Sequence, residues 1–230
     1  DVGVAFDFGE EPGLVKRKVA CGTRNMLHGP AMKIAETEDA IQVGIDIVTS
    51  EIDRGLDLVA TGEMGIGNTT VSAAITSVLT GFPVSMVTGR GTGIDDDGLS
   101  RKIEVIERAI AVNGANARDP LGVLAKVGGL EIAGLVGVIL GAAARRVPVV
   151  IDGFISSTAA LVSFHLVPAV KPFLIASHQS VEVGQKAIWE QLGQKPLFDL
   201  GMRLGEGSGA VLAFHLIDAA ARILNEMATF

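Results

Sequence analysis

Two carboxylates and one cation set among glycines are the side chains of this sequence best placed for chemistry. They are Glu63 in TGEMGIGNTT (61–70), Lys102 closing TGRGTGIDDDGLSRK (88–102), and Glu206 in DLGMRLGEGSGA (199–210). Gly205 and Gly207 flank Glu206, so the backbone can approach a ligand closely and the carboxylate stands unshielded. Partial burial there would raise its pKa toward neutrality and make it a general base. A helix-start glutamate satisfied by the dipole is the other reading. Gly62 and Gly67 have the spacing of a P-loop, but Asn68 stands where that loop needs lysine, which removes a Walker A assignment and disfavours a P-loop kinase. What remains is a glycine loop, with Gly65 inside it, entering a helix that Thr69 or Thr70 would cap, an arrangement that holds a single phosphate. A free carboxylate beside that anion would be repelled, so Glu63 is read as the partner of a sugar hydroxyl or a cationic ring. The plainer alternative is a glycine turn with an exposed glutamate.

In the second cluster Gly89, Gly91 and Gly93 miss the dinucleotide spacing because Ile94 takes the last glycine position. Asp95 to Asp97 suit the first turn of the helix that follows. Lys102 falls about one turn into that helix, where a long cation reaches back toward a phosphate or carboxylate, or else stands in solvent. The four histidines share no metal-ligand spacing, so no metal site is proposed. Ser156, Ser157, Ser177, His178 and Ser180 lack a nucleophile elbow and suit ligand hydrogen bonding better than covalent catalysis.

These residues need a scaffold, and the chain supplies one in alternation. Short apolar runs at 56–60, 84–87, 149–151, 173–176 and 197–200 lie between glycines and prolines and never alternate with polar residues, the pattern of strands buried on both faces. Val2 to Phe6 also reads as strand-like. Segments of helical period lie between them at 40–52, 71–79, 103–112, 132–144, 159–166 and 187–192. The expected fold is α/β, Rossmann-like, with a six-stranded or similar mostly parallel sheet and helices on both faces. Ligands then sit beyond the carboxyl ends of the strands, where the glycines fall. From Gly207 to Met227 runs one long amphipathic helix, expected to leave the sheet and pack on a small helical appendage or a second subunit.

Composition narrows the classes. The 230 residues include 29 glycines, well above the usual 7% or so, and the mean hydropathy of +0.44 excludes a disordered chain. A net charge of −7, with no basic run longer than Lys16 to Lys18, gives no footprint for nucleic acid. The longest uncharged apolar stretch, 132–144, is shorter than the roughly 20 residues a bilayer span needs. The single cysteine, Cys21, cannot form an internal disulfide, so a reducing cytoplasm is expected. The opening Asp1 suggests that the start of the natural protein is missing.

Taken together, these strings resemble the nicotinate-nucleotide:dimethylbenzimidazole phosphoribosyltransferase family, which makes the lower nucleotide of cobalamin. The likeness runs through RKVACGTRNMLHGPAM (17–32), TGEMGIGNTT (61–70), GRGTGIDDDGLSRK (89–102), GGLEIAGLVGVILGAAARRVPVVIDGFISSTAAL (128–161), LIASHQSVE (174–182) and the stretch from Pro196 to Phe230. It implies transfer of the 5-phosphoribosyl group of nicotinate mononucleotide to 5,6-dimethylbenzimidazole, with inversion, giving α-ribazole 5′-phosphate and nicotinate without a cofactor. Glu206 matches the general base of that family, and Glu63 and Lys102 match residues lining the same pocket. The resemblance further implies substrate contacts from Gly65, Gly67, Asn68 and Thr69, from Gly91, Thr92 and Gly93, and from Asp152, Ser180 and Leu204. It also implies a homodimer, a large domain over 1–205, and a helix over 206–230 belonging to a small domain whose amino-terminal part is absent. Val183, Gly184 and Gln185 depart from the Pro, Gly and His more usual in that loop. The alternatives are the same chemistry with another lower-ligand base, or a fragment that binds nicotinate mononucleotide without turnover.

Overall fold

The computed structural model describes residues 1–91 and 93–228. After an irregular amino-terminal stretch, helix α1 (Ile34–Asp53) leads to strand β1 (Val59–Ala60) and helix α2 (Asn68–Thr80). Helices α3 (Val84–Val87), α4 (Asp96–Asn113), α5 (Pro120–Val127) and α6 (Leu130–Ala144) follow, then strand β2 (Val149–Ile151) and helix α7 (Phe154–Leu166). A 3-10 turn (Pro168–Phe173) leads into strands β3 (Leu174–Ala176) and β4 (His178–Ser180), helix α8 (Gly184–Leu192), strand β5 (Phe198–Met202) and helix α9 (Ser208–Glu226). Among the described residues, β1, β2 and β3 form one parallel sheet in that order, with Val59 opposite Val149 and Val150 opposite Ile175. Strands β4 and β5 form a second parallel pair.

The expected α/β class with parallel strands and helical layers is present, but the single six-stranded sheet is not. The run 84–87 is a helical turn: Pro83 presets an extended entry at φ −53° and ψ 142°, and four apolar residues are too few for their pattern to separate strand from helix. Val2 to Phe6 forms no strand, and Phe6 is exposed. Helix α5, which lies outside the segments of helical period, starts where Asp119 accepts the Gly122 N–H at 2.9 Å and Pro120 occupies the first turn. The aspartates of 95–97 open α4 as expected, Asp95 accepting the Gly98 N–H at 2.8 Å.

Packing is closest between α1 and α6, where glycines replace side chains at the contact. A Cβ on Gly44 would overlap the carbonyl oxygen of Gly134, and one on Gly137 would overlap that of Ile41. The two backbones therefore touch directly. Helix α6 is buried nearly all round, with Ile132, Val136 and Ile139 fully shielded in the main core beside Val149 and Ile151 of β2. Helix α9 packs through its first half, where Ala210 and Ala213 meet Val150 and Phe214 and Ile217 lie against that cluster. The helix exposes Leu216, Ile223 and Leu224. Among the described residues no helix is long and apolar enough to cross a membrane.

Candidate active site

The three glycine clusters converge beyond the carboxyl ends of the strands. The chain leaving β1 enters the 61–67 loop, and the chain leaving β5 enters the 203–207 loop. The two loops meet backbone to backbone: a Cβ on Gly62 would stand 2.6 Å from the Glu206 carbonyl carbon and 2.6 Å from the Gly207 nitrogen. Glu63 is thereby carried against the second loop, its Oε1 lying 3.2 Å from where Gly205 would place a Cβ.

Glu206 itself holds a left-handed backbone at φ 58°, between Gly205 at 79° and Gly207 at 80°. Such a conformation is costly for a residue with a side chain and persists where the surroundings impose it. It turns the Glu206 side chain outward, so the carboxylate is exposed and the partial burial expected of it is not found. That burial falls on Glu63, whose carboxyl is pushed up to about 7. Desolvation is the main cause, and the negative charges of Glu131, Asp152 and Glu206 add to it, while a hydrogen bond donated by Asn68 Nδ2 opposes it.

Glu131 is a site residue that the sequence reading did not single out. It sits in the first turn of α6, half-buried, and burial raises its pKa. A Cβ on Gly65 would lie 2.9 Å from Glu131 Oε1 and 2.9 Å from Asn68 Nδ2, so Gly65 keeps open the space these groups share with Glu63. The detectable signal was the glycine pair 128–129 just before an acid at a helix start. Among the described residues no group of acidic, histidine and cysteine side chains is arranged to hold a metal ion.

A second subsite lies on the other side of the α2 amino terminus. Gly67 caps α2 at φ 78° without a side-chain hydrogen bond, so no side chain of the cap residue fills the helix end. Lys102 Nζ reaches back from α4 and donates to Thr69 Oγ1 at 3.0 Å and to the Gly89 carbonyl at 3.0 Å. Burial lowers the Lys102 pKa, and the charge of Glu182 partly offsets this. Gly91 approaches the same two groups, its would-be Cβ 3.0 Å from Thr69 Oγ1 and 3.6 Å from Lys102 Nζ. Gly93 faces open space, and Thr92 lies outside the described residues.

Three expected substrate contacts stand differently. Asp152 is 1% exposed and faces the start of α9, accepting from the N–H groups of Gly207 at 3.1 Å, Gly209 at 2.8 Å and Ala210 at 3.0 Å. Ser180 is buried, and its hydroxyl accepts the Glu182 N–H at 3.3 Å, shaping the turn that brings Glu182 beneath Gly89. Leu204 is 70% exposed, and Met64 and Ile66 of the 61–67 loop are exposed as well.

The two glycine-loop helix starts, alike in sequence, therefore differ in electrostatics. The end of α9 is filled by Asp152, whereas the end of α2 stands beside a half-buried ammonium. Only the latter is arranged to receive an outside anion.

Comparison with known proteins gives the family. Residues 1–230 match the family described as Phosphoribosyltransferase. The chain belongs to that family. Its relatives include a nicotinate-nucleotide–dimethylbenzimidazole phosphoribosyltransferase of Chloroflexus aggregans, 59% identical over 230 residues, which are all of this chain and 65% of the relative. One of the same name from Geobacter sulfurreducens is 56% identical over the same share of each chain. The crystal structure of CobT from Thermus thermophilus superposes with a TM-score of 0.94 at 45% identity, covering 100% of this chain and 68% of that one. The chain thus spans about 65% of the length of these curated members of the phosphoribosyltransferase family.

Proposed function

We propose that this chain transfers the 5-phosphoribosyl group of nicotinate mononucleotide to 5,6-dimethylbenzimidazole, releasing nicotinate and forming α-ribazole 5′-phosphate for cobalamin assembly. The observation that carries the proposal is the meeting of the 61–67 and 203–207 loops, which sets Glu63 against Gly205 and beside Glu206, with Lys102 and Thr69 across the start of α2. The names and identities of the relatives support the same substrates.

Lys102, Thr69 and the first N–H groups of α2 hold the phosphate, which fixes the ribose over the Glu63 pocket. Glu63, hydrogen-bonded by Asn68, faces the ribosyl carbon and its pyridinium substituent, where its negative charge, present as pH rises past about 7, favours oxocarbenium character. The acceptor ring lies against the exposed Met64, Ile66 and Leu204. Glu206 takes the proton from the benzimidazole N–H as the ring nitrogen bonds to the anomeric carbon. The bond to nicotinate breaks on the opposite face, and its electron pair neutralises the pyridinium nitrogen. Configuration at the anomeric carbon inverts.

The proposal extends to the assembly. Residues 1–205 act as the large domain, and 206–230 supply a helix to a small helical domain. The apolar side chains exposed on α9, Leu216, Ile223 and Leu224, support burial of that helix in a homodimer. The free thiol of the exposed Cys21 supports a reducing cytoplasm as the place of action.

The test is mass-spectrometric detection of α-ribazole phosphate after incubating the chain with nicotinate mononucleotide and dimethylbenzimidazole. Product is the expected result. Binding of nicotinate mononucleotide by folded protein without product would replace transfer by binding, and product with adenine or a phenol alone would change the acceptor.

A further inference from the structure

The residue at the centre of the loop that carries Glu206 is not in the loop. Asp152 follows β2, is 1% exposed, and receives three backbone N–H groups from the start of α9 at 2.8, 3.0 and 3.1 Å. Its Oδ2 takes Gly207, and its Oδ1 takes both Gly209 and Ala210. Behind it stands His178 of β4, 2% exposed, with Nε2 3.5 Å from Asp152 Oδ1. The imidazole is wedged in place: a Cβ on Gly209 would fall 2.6 Å from His178 Nε2, and Phe198 of β5 stacks on the ring at 6.2 Å between centroids. Neither ring nitrogen has a hydrogen-bond partner, so the 3.5 Å approach to Asp152 is the nearest polar contact recorded for the imidazole.

Glu206 immediately precedes the first of the three anchored amides. Its left-handed φ of 58° needs an outside constraint, because a side-chain-bearing residue leaves that region when released. Gly62 packs on one side of the 206–207 peptide, and Asp152 pulls the other side down. The Asp152 carboxylate also fills the positive end of α9, which keeps an incoming phosphate on the Lys102 side.

We infer that Asp152, backed by His178, is a positioning residue: it fixes the α9 start so that Glu206 holds its left-handed conformation at the mouth of the site. The inference rests on the transfer reading above, in that Glu206 is the group whose placement counts. Both Asp152 carboxylate oxygens are taken by backbone N–H groups, so it acts through the loop. Burial raises its carboxyl, but the His178 contact and the Ala210 and Gly207 N–H groups outweigh that and hold it below its usual value, as an anchor that stays ionised requires.

Asp152→Asn keeps the size but replaces one acceptor oxygen with a donor facing an N–H. The expected result is faster amide hydrogen exchange at Gly207, Gly209 and Ala210, and turnover lowered by about 10²-fold, the scale of a displaced catalytic group. The dissociation constant of nicotinate mononucleotide should stay within about twofold, because Lys102 and Thr69 are untouched. His178→Gln, which keeps a polar side chain of similar reach behind Asp152, should lose less than His178→Ala, and it covers the case in which Asp152→Asn fails to fold. Wild-type turnover in Asp152→Asn, unchanged exchange at the three amides, or equal losses in the two His178 variants would overturn the inference. If the wild-type chain forms no product, the transfer reading falls by itself, and the exchange measurement still decides whether Asp152 holds the loop.

Discussion

Replacing Glu63 by glutamine should make the protein more stable at alkaline pH and leave it unchanged at acid pH. In the folded chain Glu63 keeps its proton up to about pH 7, against 4.5 for the solvated group. The folded state thus binds this proton more tightly than the unfolded state, so the stabilisation is complete below pH 4.5 and is lost as pH climbs through 7. At about 1.4 kcal/mol per pH unit the full shift is worth ~3 kcal/mol. Glu63 is only half-buried, and solvent screening reduces that to ~1–2 kcal/mol. Glutamine removes the titration but keeps an oxygen for the Asn68 amide. Urea unfolding of both chains at pH 5, 6, 7 and 8 reads the difference directly, since every other titrating group is common to both. The advantage of the variant should be smallest at pH 5, grow steeply to pH 7 and level off at ~1–2 kcal/mol by pH 8. A difference that stays flat across this range, or one that grows in favour of the wild type above pH 7, would refute the assignment of a buried, proton-holding Glu63.

Glu206→Gln should retain nicotinate mononucleotide binding and lose about 10²-fold or more in turnover; full turnover in a steady-state assay would remove the base from that position. Lys102→Ala should weaken nicotinate mononucleotide about 10- to 100-fold, the worth of a hydrogen bond to a charged group, and an unaltered dissociation constant by calorimetry would move the phosphate elsewhere. Gly137→Ala should cost about 1–3 kcal/mol in urea unfolding, because the new methyl collides with the Ile41 carbonyl and pushes α1 from α6. A midpoint equal to wild type would show that the helices part without strain.

The sequence made the site legible where local context sufficed. Glu63, Lys102 and Glu206 each stand in a glycine setting that announces backbone approach, and those settings do converge. What it could not show were roles decided by partners far along the chain. Asp152 looks like a ligand contact after a strand, yet its partners lie 55 to 58 residues downstream. Glu131 looks like the polar edge of a buried helix, and only the fold reveals that this edge opens beside Gly65. Burial could not be apportioned between Glu63 and Glu206, since both are glutamates next to glycine and the left-handed turn at Glu206 decides which faces water. The strand order failed at 84–87, where proline geometry governs, and at β4, whose His178, Gln179 and Ser180 carry no apolar signal.

The backbone-on-backbone seam at Gly44 and Gly137 has a bearing on how such a chain tolerates change. Distance between two helices is ordinarily set by the volumes of the interdigitating side chains, so drift in those residues moves one helix against the other. Here the spacing is set by main-chain atoms that no substitution alters, and the residues facing outward from either helix can vary without shifting the seam. Glu131 sits on the first turn of one of these helices. Its place in the pocket is therefore referenced to a contact that mutation can break but cannot gradually retune.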